Sequence, residues 1–488
     1  MIALYIIIAV LLIAVAASAV HAAFYKAELP KKKEMPVENV NMKRVQENLS
    51  RAIQFKTISH EDESQTDWAE FDRYHEFLRN AYPKLHSTLT VEKVSKAGLL
   101  YFWQGKDESL EPIAFLSHQD VVPVADGTEK DWEHPAFEGY NDGEYIWGRG
   151  AIDMKNHLIC LMESIETLLE EGYQPERSVY LCFGYNEEIV AGKNSAARDI
   201  AAALKEKGVH LDSVFDEGGV TLPVNIKGVL DADLSAVGVA EKGYADFKIT
   251  VNGKGGHSSQ PPKHTALGKL SNKIVALENH QMKPYSSKIL FELISTVGRY
   301  MSYPLRFVLC NVPVLKPLLT KILASNEMAF PMVRTSAAVT MSSGSPAANV
   351  LPQKATATIN FRIMPGDTIK DVENHLEKYM GGDDTEIELV KGKEASKVSP
   401  TNTKAFETIK ELMSAESDKS IVVPYLVTGG TDAYNYEPVC DNIYRFSPFT
   451  ISNELLSNMH STNERIPISQ LNTGVTFFKR YIRKMTSD

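Results

Sequence analysis

Ile113-Ala114-Phe115-Leu116-Ser117-His118-Gln119-Asp120 opens with four apolar residues and closes on four polar ones. An apolar run this short, without alternation, reads as a strand buried on both faces. Ser178 to Phe183 is a second such run, ending at Asn186-Glu187-Glu188. Ser213 to Phe215 is a third, ending at Asp216-Glu217-Gly218-Gly219. Between the first two, the spacing predicts a helix over about 157–171, closed by Gly172. Strands alternating with helices predict an α/β fold with a mostly parallel mixed sheet. Such sheets gather functional side chains just past the C-terminal ends of their strands.

Upstream, Val45, Leu49, Ala52 and Ile53 recur at helical spacing, as do Phe71, Tyr74, Phe77 and Leu78. Downstream, the texture changes near residue 242. Ala245 to Val251 alternates as a half-buried strand, and Gly253-Lys254-Gly255-Gly256-His257 forms a glycine-rich turn. A helix over about 266–277, an alternating strand over 355–363, a helix over 369–379 and a strand over 385–390 follow. These predict an inserted α+β lid domain with an antiparallel sheet at 242–393. Residues 45–241 and 394–488 then form one catalytic body. Two domains suit a chain of 488 residues.

Residues 305–324 do not fit a small insert. The stretch is strongly apolar, broken by Pro313 and Pro317 and charged at Arg306, Lys316 and Lys321, which argues against a spanning helix. One reading is an extra packed helix or a subunit interface, which leaves a homodimer as a candidate assembly. The other is a greasy lid over a lipid-like substrate or a membrane surface.

The formal net charge is -10, with both signs mixed along the chain and no long basic run, so nucleic acid is excluded as a partner. Cys160, Cys182, Cys310 and Cys440 are scattered and form no C-x-x-C pair, so neither a cysteine metal site nor a disulfide scaffold is expected. One or two bridges stay open for a secreted protein. Residues Ile2 to Val20 carry no charge, and Ala17-Ser18-Ala19 and Val20-His21-Ala22 are A-x-A-like, so residues 1–22 read as a secretory signal peptide. The expected destination is secretion. The alternative is an uncleaved anchor, in the secretory pathway or a vacuole or lysosome, because the run approaches the ~20 residues that span a bilayer. Lys31-Lys32-Lys33 would then be its flank, on the side that the positive-inside rule assigns to the cytoplasm. Residues 24–40 read as a polar linker. Asn48-Leu49-Ser50 is a glycosylation sequon, usable only if the body enters the secretory pathway.

Five elements lie where a strand should end, and each has a bland reading when taken singly. His118-Gln119-Asp120 offers an imidazole and, two residues on, a carboxylate able to accept the other ring N–H; a satisfied structural histidine is the plain alternative. Trp147-Gly148-Arg149-Gly150-Ala151-Ile152-Asp153 presents Asp153 on a tight turn, or as a helix cap. Glu187-Glu188 is surface charge, or a ligand beside a free general base. Asp216 and His460 complete the set. Together they give two imidazoles, three ligand carboxylates and a spare glutamate, the inventory of a carboxylate-bridged dinuclear site. Nitrogen and oxygen donors without thiolate suit Zn²⁺, two per chain, with Co²⁺ or Mn²⁺ as substitutes.

Read with these motifs, the chain resembles the aminoacylase/carboxypeptidase family of two-domain zinc metallopeptidases. Within it the likeness is greatest to carboxypeptidase S-like proteins and secreted N-fatty-acyl-amino acid synthase/hydrolases. The resemblance covers about residues 45–485. It rests on the order of nine motifs: S-H-Q-D-V-V-P-V, G-R-G-A-I-D-M-K, N-E-E, D-E-G-G, G-G-H-S-S-Q-P-P, A-N-V-L-P, F-R-I-M-P-G, G-G-T-D-A and H-S-T-N-E. It implies that His118 and Asp216 hold one zinc, that Glu188 and His460 hold the other, and that Asp153 bridges them through a loop with a cis bond to Met154. It implies that Asp120 supports His118 and that Glu187 is the general base and acid. His257 and Asn349 would meet the oxyanion, Arg362 would anchor a substrate carboxylate, and Gly429-Gly430-Thr431 would line the pocket. Many relatives carry arginine after Gly-Gly-Thr-Asp-Ala; this chain has Tyr434.

The function expected is hydrolysis of N-acyl, above all N-fatty-acyl, amino acids, with the reverse condensation available. The small-molecule substrate follows from Arg362 and the apolar 305–324 stretch. A carboxypeptidase S-like exopeptidase acting on dipeptides or short peptides uses the same machinery. A non-catalytic carrier of lipidated amino acids is disfavoured, because a carrier needs no free base such as Glu187.

Overall fold

The computed structural model describes residues 2–189, 192, 194–326 and 329–487. Its main sheet has nine strands. Eight run in the spatial order Thr90–Val94, Gly98–Trp103, Val179–Gly184, Ile113–His118, Ser213–Asp216, Ile443–Arg445, Leu230–Glu241, Ser420–Val427. The ninth, Thr221–Ile226, pairs antiparallel with Leu230–Glu241. Ile113–His118 is parallel to both of its neighbours, and the Ser213–Asp216/Ile443–Arg445 and Leu230–Glu241/Ser420–Val427 pairs are parallel too. The first two strands are antiparallel, which makes the sheet mixed. This is the α/β class expected from the sequence.

The central strands are unbroken apolar runs because both faces are covered. Ile113 and Phe115 enter one core with Leu181, Phe215 and the helices Lys155–Glu170 and Ile468–Met485. Ala114 and Leu116 enter a second core on the opposite face, with Cys182, Val214 and the helix Ala196–Glu206. The helix Lys155–Glu170 is buried from Lys155 to Leu168, and its polar stripe of Glu163, Thr167 and Glu170 is met by Arg44 rather than by water alone. It stops at Gly172, whose φ of +74° is a left-handed conformation that glycine adopts without strain. In the first core Phe478 is wholly buried against Phe115, Phe215 and His157, with ring centroids 6.0, 5.7 and 4.8 Å away.

Between residues 243 and 393, four strands form an antiparallel sheet in the order Ser336–Ser343, Lys354–Ile363, Gly243–Asn252, Thr385–Lys393. Ala266–Asn279 and Ile369–Met380 cover its apolar face, with Ala357, Ile359 and Phe361 in the core beneath them. Thr368 and Asp371 close a capping box at the start of the second helix. The 305–324 stretch is two helices, Tyr303–Cys310 and Val312–Ala324, preceded by Lys288–Gly298. Lys288–Gly298 lies on the edge strand Ser420–Val427 of the main sheet, where Leu293 and Val297 meet Ile421 and Val423.

All four cysteines are free and buried. The sequon is also corrected by the fold. Asn48 sits inside the helix Met42–Ile53 with its Nδ2, the atom that would carry a glycan, buried.

Phe478→Ala empties a ring-sized space in the larger core and should cost about 3–5 kcal/mol. Urea unfolding followed by near-UV circular dichroism checks this; an unchanged midpoint would place Phe478 outside the cooperative core.

Candidate metal centre

Parallel neighbours bring their C-terminal ends to one edge of the sheet. His118 ends one strand and is in register with Gly184, two residues before Asn186-Glu187-Glu188. Asp216 ends the next strand. Asp153 arrives from the loop before Lys155–Glu170, across a cis bond to Met154, and His460 arrives from a turn near the C-terminus with φ +61°. Asp153 lies between the two imidazoles. Its Oδ1 is 3.0 Å from His118 Nε2 and its Oδ2 is 2.9 Å from His460 Nε2. Glu188 Oε2 is 3.2 Å from His460 Nε2, and Glu187 Oε2 is 4.0 Å from His118 Nε2.

One position in the set is corrected. Glu217, not Asp216, faces His118, with Oε1 3.0 Å from Nε2. Strand parity explains it. Asp216 shares a face with Val214, in the second core, and there its carboxylate accepts the Ala433 N–H at 2.9 Å and the Glu217 N–H at 2.9 Å. Glu217, one step past the strand, turns back to the site. Two groups of candidate ligand atoms lie within 4.8 Å of one another: His118, Glu187 and Glu217, and His118, Asp153 and Glu188.

Asp120 also acts differently from expectation. The His118 ring meets the backbone carbonyl of Asp120 at 3.0 Å, closer than its carboxylate at 3.5 Å. The buried carboxylate instead accepts the N–H groups of Glu187 and Glu188, each at 3.3 Å. Asp120 therefore orients the imidazole with its main chain and the glutamate pair with its side chain.

Glu464 had no role in the sequence reading. Its Oε1 accepts the N–H groups of Gly150, Ile152 and Asp153 at 3.1, 2.8 and 3.2 Å. Its Oε2 takes Arg149 Nη1 at 2.6 Å, and both side chains are buried. Asp432, inside the G-G-T-D-A motif, was also missed. It is buried behind Glu187, and a Cβ at position 184 would push its Oδ2 aside, so Gly184 leaves the carboxylate its place. Placement in quoted motifs was the available signal for both.

Charge at this edge is unbalanced. Burial, together with Asp153, pushes the Glu217 carboxyl up to about 8. Burial and Asp216 push Asp432 to about 8. Burial raises Glu187 well above the usual range; His118 opposes this, while Glu217, Glu188 and Asp432 add to it. Asp153 and Glu188 lift the His460 imidazole to about 10. Glu188 Oε1 is buried and has no hydrogen-bond partner. Converging carboxylates, two imidazoles and an orphaned buried oxygen fit divalent cations, which would supply the missing positive charge.

A cavity of about 260 Å³ opens beside Glu187. Its wall includes Asn186, Asn194, Gly430, Thr431, Asp432, Tyr434 and Lys393. Gly430 and Thr431 are thus at the site, while Gly429 is not on that wall. Thr431 N–H donates to the buried Glu241 at 2.7 Å. Lys393 Nζ is 3.4 Å from Glu241 and stands 4.5 Å over the Tyr434 ring, so a cation from the antiparallel sheet sits beside the tyrosine that follows G-G-T-D-A. His257 and Asn349 are brought together by a two-stranded pairing, with Ser258 N–H donating to the Asn349 carbonyl at 3.1 Å. Both are exposed, and among the described residues neither contacts the carboxylate cluster. Arg362 stacks at 4.9 Å over Tyr244 and is not on the cavity wall. Residues 305–324 are not on it either.

A family model described as peptidase family M20/M25/M40 matches residues 114–484. The chain belongs to this family. A probable carboxypeptidase S-like 2 of Dictyostelium discoideum is 34% identical over 90% of the chain and 84% of its own length. The N-fatty-acyl-amino acid synthase/hydrolase PM20D1 of Mus musculus is 33% identical over 90% and 87%. Among solved structures, the M20 family metallo-carboxypeptidase Sso-CP2 of Sulfolobus solfataricus shares the fold, with a TM-score of 0.65 at 16% identity over 90% of this chain and 98% of that one. The YXEP protein of Bacillus subtilis, described as a dinuclear metal binding peptidase, gives 0.56 at 14% over 91% and 98%. The chain is thus an M20 enzyme of amide bonds.

Two outcomes test the centre. Glu464→Gln strands the Arg149 guanidinium in the interior and should cost about 3–5 kcal/mol in urea unfolding. Glu188→Gln removes a buried, half-partnered charge. It should raise the melting temperature of the chelator-treated protein by a few degrees, about 1 kcal/mol, while shrinking the further rise that divalent cation produces. A lowered metal-free Tm with an intact cation effect would remove Glu188 from the centre.

Proposed function

We propose that this enzyme is a two-zinc hydrolase of the amide bond in N-acyl amino acids, with long-chain acyl groups favoured and the reverse condensation open to it. The observation that carries the hydrolytic part is Asp153, set between His118 and His460 with Glu187 beside it on a cavity. The acyl preference draws on the 33% identity to an N-fatty-acyl-amino acid synthase/hydrolase.

In this reading His118 and Glu217 hold one ion, Glu188 and His460 the other, and Asp153 both. Nitrogen and oxygen donors with no thiolate suit zinc. When bound, the ions polarise the scissile carbonyl and acidify water at the site. Glu187 takes the proton from the attacking water and passes it to the nitrogen as the C–N bond breaks, releasing a fatty acid and an amino acid. Asp120 keeps His118 and the Glu187 backbone in place throughout.

Residues 242–393 act as a lid that carries His257, Asn349 and Arg362 toward the substrate. His257 and Asn349 donate to the oxyanion, and the Arg362 guanidinium takes the substrate carboxylate as a bidentate pair. In this reading the lid moves to bring these residues to the cluster. The apolar N-terminus directs the chain into the secretory pathway.

The 34% identity to a carboxypeptidase S-like protein favours a second reading, exopeptidase action on dipeptides. Zinc-loaded enzyme is compared on a long-chain N-acyl amino acid and on a dipeptide. The proposal expects the acyl amino acid to have the higher kcat/KM; faster dipeptide cleavage establishes the second reading. Glu187→Gln should lower kcat on either substrate by about 10²–10⁴-fold with two metals still bound. Unaltered turnover would end the catalytic assignment of Glu187.

A further inference from the structure

We infer that the cavity beside Glu187 receives the amino-acid half of the substrate and that Lys393 binds a second carboxylate there, so that N-acyl glutamates and aspartates are the favoured substrates. This rests on the hydrolase reading above and names the amino acid which that reading leaves open.

The first observation is the make-up of the cavity wall. Among its described residues Ile189 is the one aliphatic side chain and Tyr434 the one ring; the others are glycine, polar or charged. A long acyl chain gains affinity by burying apolar area, and about 260 Å³ of largely polar space offers it little. The half of the substrate that suits this wall is the one that bears carboxylate. Glu187 and Lys393 both stand on the wall, so a substrate whose amide meets Glu187 has an ammonium within the same cavity.

The second observation is how Lys393 is held. Its Nζ is 3.4 Å from Glu241 and 4.5 Å over the Tyr434 ring. Glu241 is wholly buried, and it also accepts Arg445 Nη2 at 3.2 Å and the Thr431 N–H at 2.7 Å. Two cations thus share one carboxylate, and Arg445 Nε and Nη1 have no hydrogen-bond partner. The junction has positive charge in excess, and Lys393 is the cation of the two that reaches the cavity wall. An ammonium has three N–H donors, so one contact with Glu241 leaves others for a ligand. Held between a buried carboxylate and a ring, it is ordered before the ligand arrives, which lowers the entropy lost on binding.

The third is its position relative to Arg362. Tyr244 pairs with Arg362 on one neighbouring strand and with Lys393 on the other. Residues paired across strands share a face, so the three form a row opposite the face that holds Ala245 and Phe361 in the core. Strand spacing puts the backbones of the two cations about 10 Å apart, with one tyrosine between them. Arg362 lies over that ring and, among the described residues, makes no ion pair. A planar guanidinium suits the α-carboxylate as a bidentate pair, and a point-like ammonium suits a further oxygen beyond it. A dicarboxylic amino acid satisfies both.

The test uses N-dodecanoyl glutamate, glutamine and leucine, which share one acyl chain. On zinc-loaded enzyme kcat/KM for the glutamate substrate should exceed that for the isosteric glutamine substrate by about tenfold or more, as expected of one charge-assisted hydrogen bond. Lys393→Gln leaves Glu241 with Arg445 and the Thr431 N–H. It should raise KM for the glutamate substrate about tenfold, with kcat and the other two substrates little changed, and Lys393→Arg should restore much of the loss. A binding readout needs no turnover: calorimetry on zinc-loaded Glu187→Gln should show free glutamate held about tenfold tighter than glutamine, and adding Lys393→Gln should abolish the difference. Equal rates on glutamate and glutamine substrates overturn the inference while leaving the hydrolase reading intact. So does a Lys393→Gln defect shared by the leucine substrate, which would place the α-carboxylate at Lys393. If none of the three is cleaved, the hydrolase reading fails, and calorimetry still decides the pocket: glutamate bound no tighter than glutamine overturns it.

Discussion

The carboxylate of Glu464 holds the metal centre together before any metal arrives. One of its oxygens collects three N–H groups from the loop that presents Asp153, and the other neutralises Arg149 of that same loop. A residue from the last strand-and-helix segment thereby shapes a turn more than three hundred positions earlier. His460 lies four residues before Glu464, so the same segment that fixes the bridging carboxylate also supplies the second imidazole. Both sides of the Asp153 carboxylate are set by one closure of the chain. Buried as it is, the pair is more important for placing Asp153 than for net stability, since burying two charges offsets most of what their attraction contributes.

The rest of the site follows from sheet geometry and from charge. Parallel strands at a common edge deliver His118, Glu187, Glu188 and Glu217 within a few ångströms, and the interior then has more carboxylate than it can neutralise alone. Raised proton affinities on Glu187, Glu217 and Asp432 are the signature of that excess. The cavity is bounded on one side by this edge and on the other by Lys393 from the antiparallel sheet, so its wall is shared between the two sheets. Lys393, Glu241, Arg445 and the Thr431 N–H form one buried polar junction there.

The fold class was legible because both faces of the central strands are covered: apolar runs without alternation are a direct imprint of that burial. The gathering of polar residues at strand ends was legible for the same reason, since the runs stop where cover stops. The choice between Asp216 and Glu217 was not. It depends on which face of the sheet each residue joins at the strand's last step, and a three-residue apolar run carries no parity. Asp120 was placed in the right neighbourhood, but whether a backbone or a side-chain oxygen meets His118 is a matter of tenths of an ångström. His257, Asn349 and Arg362 read as site residues from motif order, yet His257 lies in a two-stranded pairing, Asn349 in the turn before its second strand and Arg362 on the four-stranded sheet, and none is on the cavity wall. The sequon at Asn48 shows the limit of a tripeptide: it does not reveal that a helix turns the amide inward.

The helix Lys288–Gly298 covers the outermost strand of the main sheet, Ser420–Val427, which ends just before the Gly429-Gly430-Thr431 turn. An uncovered strand at that position would present a row of free backbone donors and acceptors to any other extended chain. With the helix in place, strand addition from solvent is hindered there.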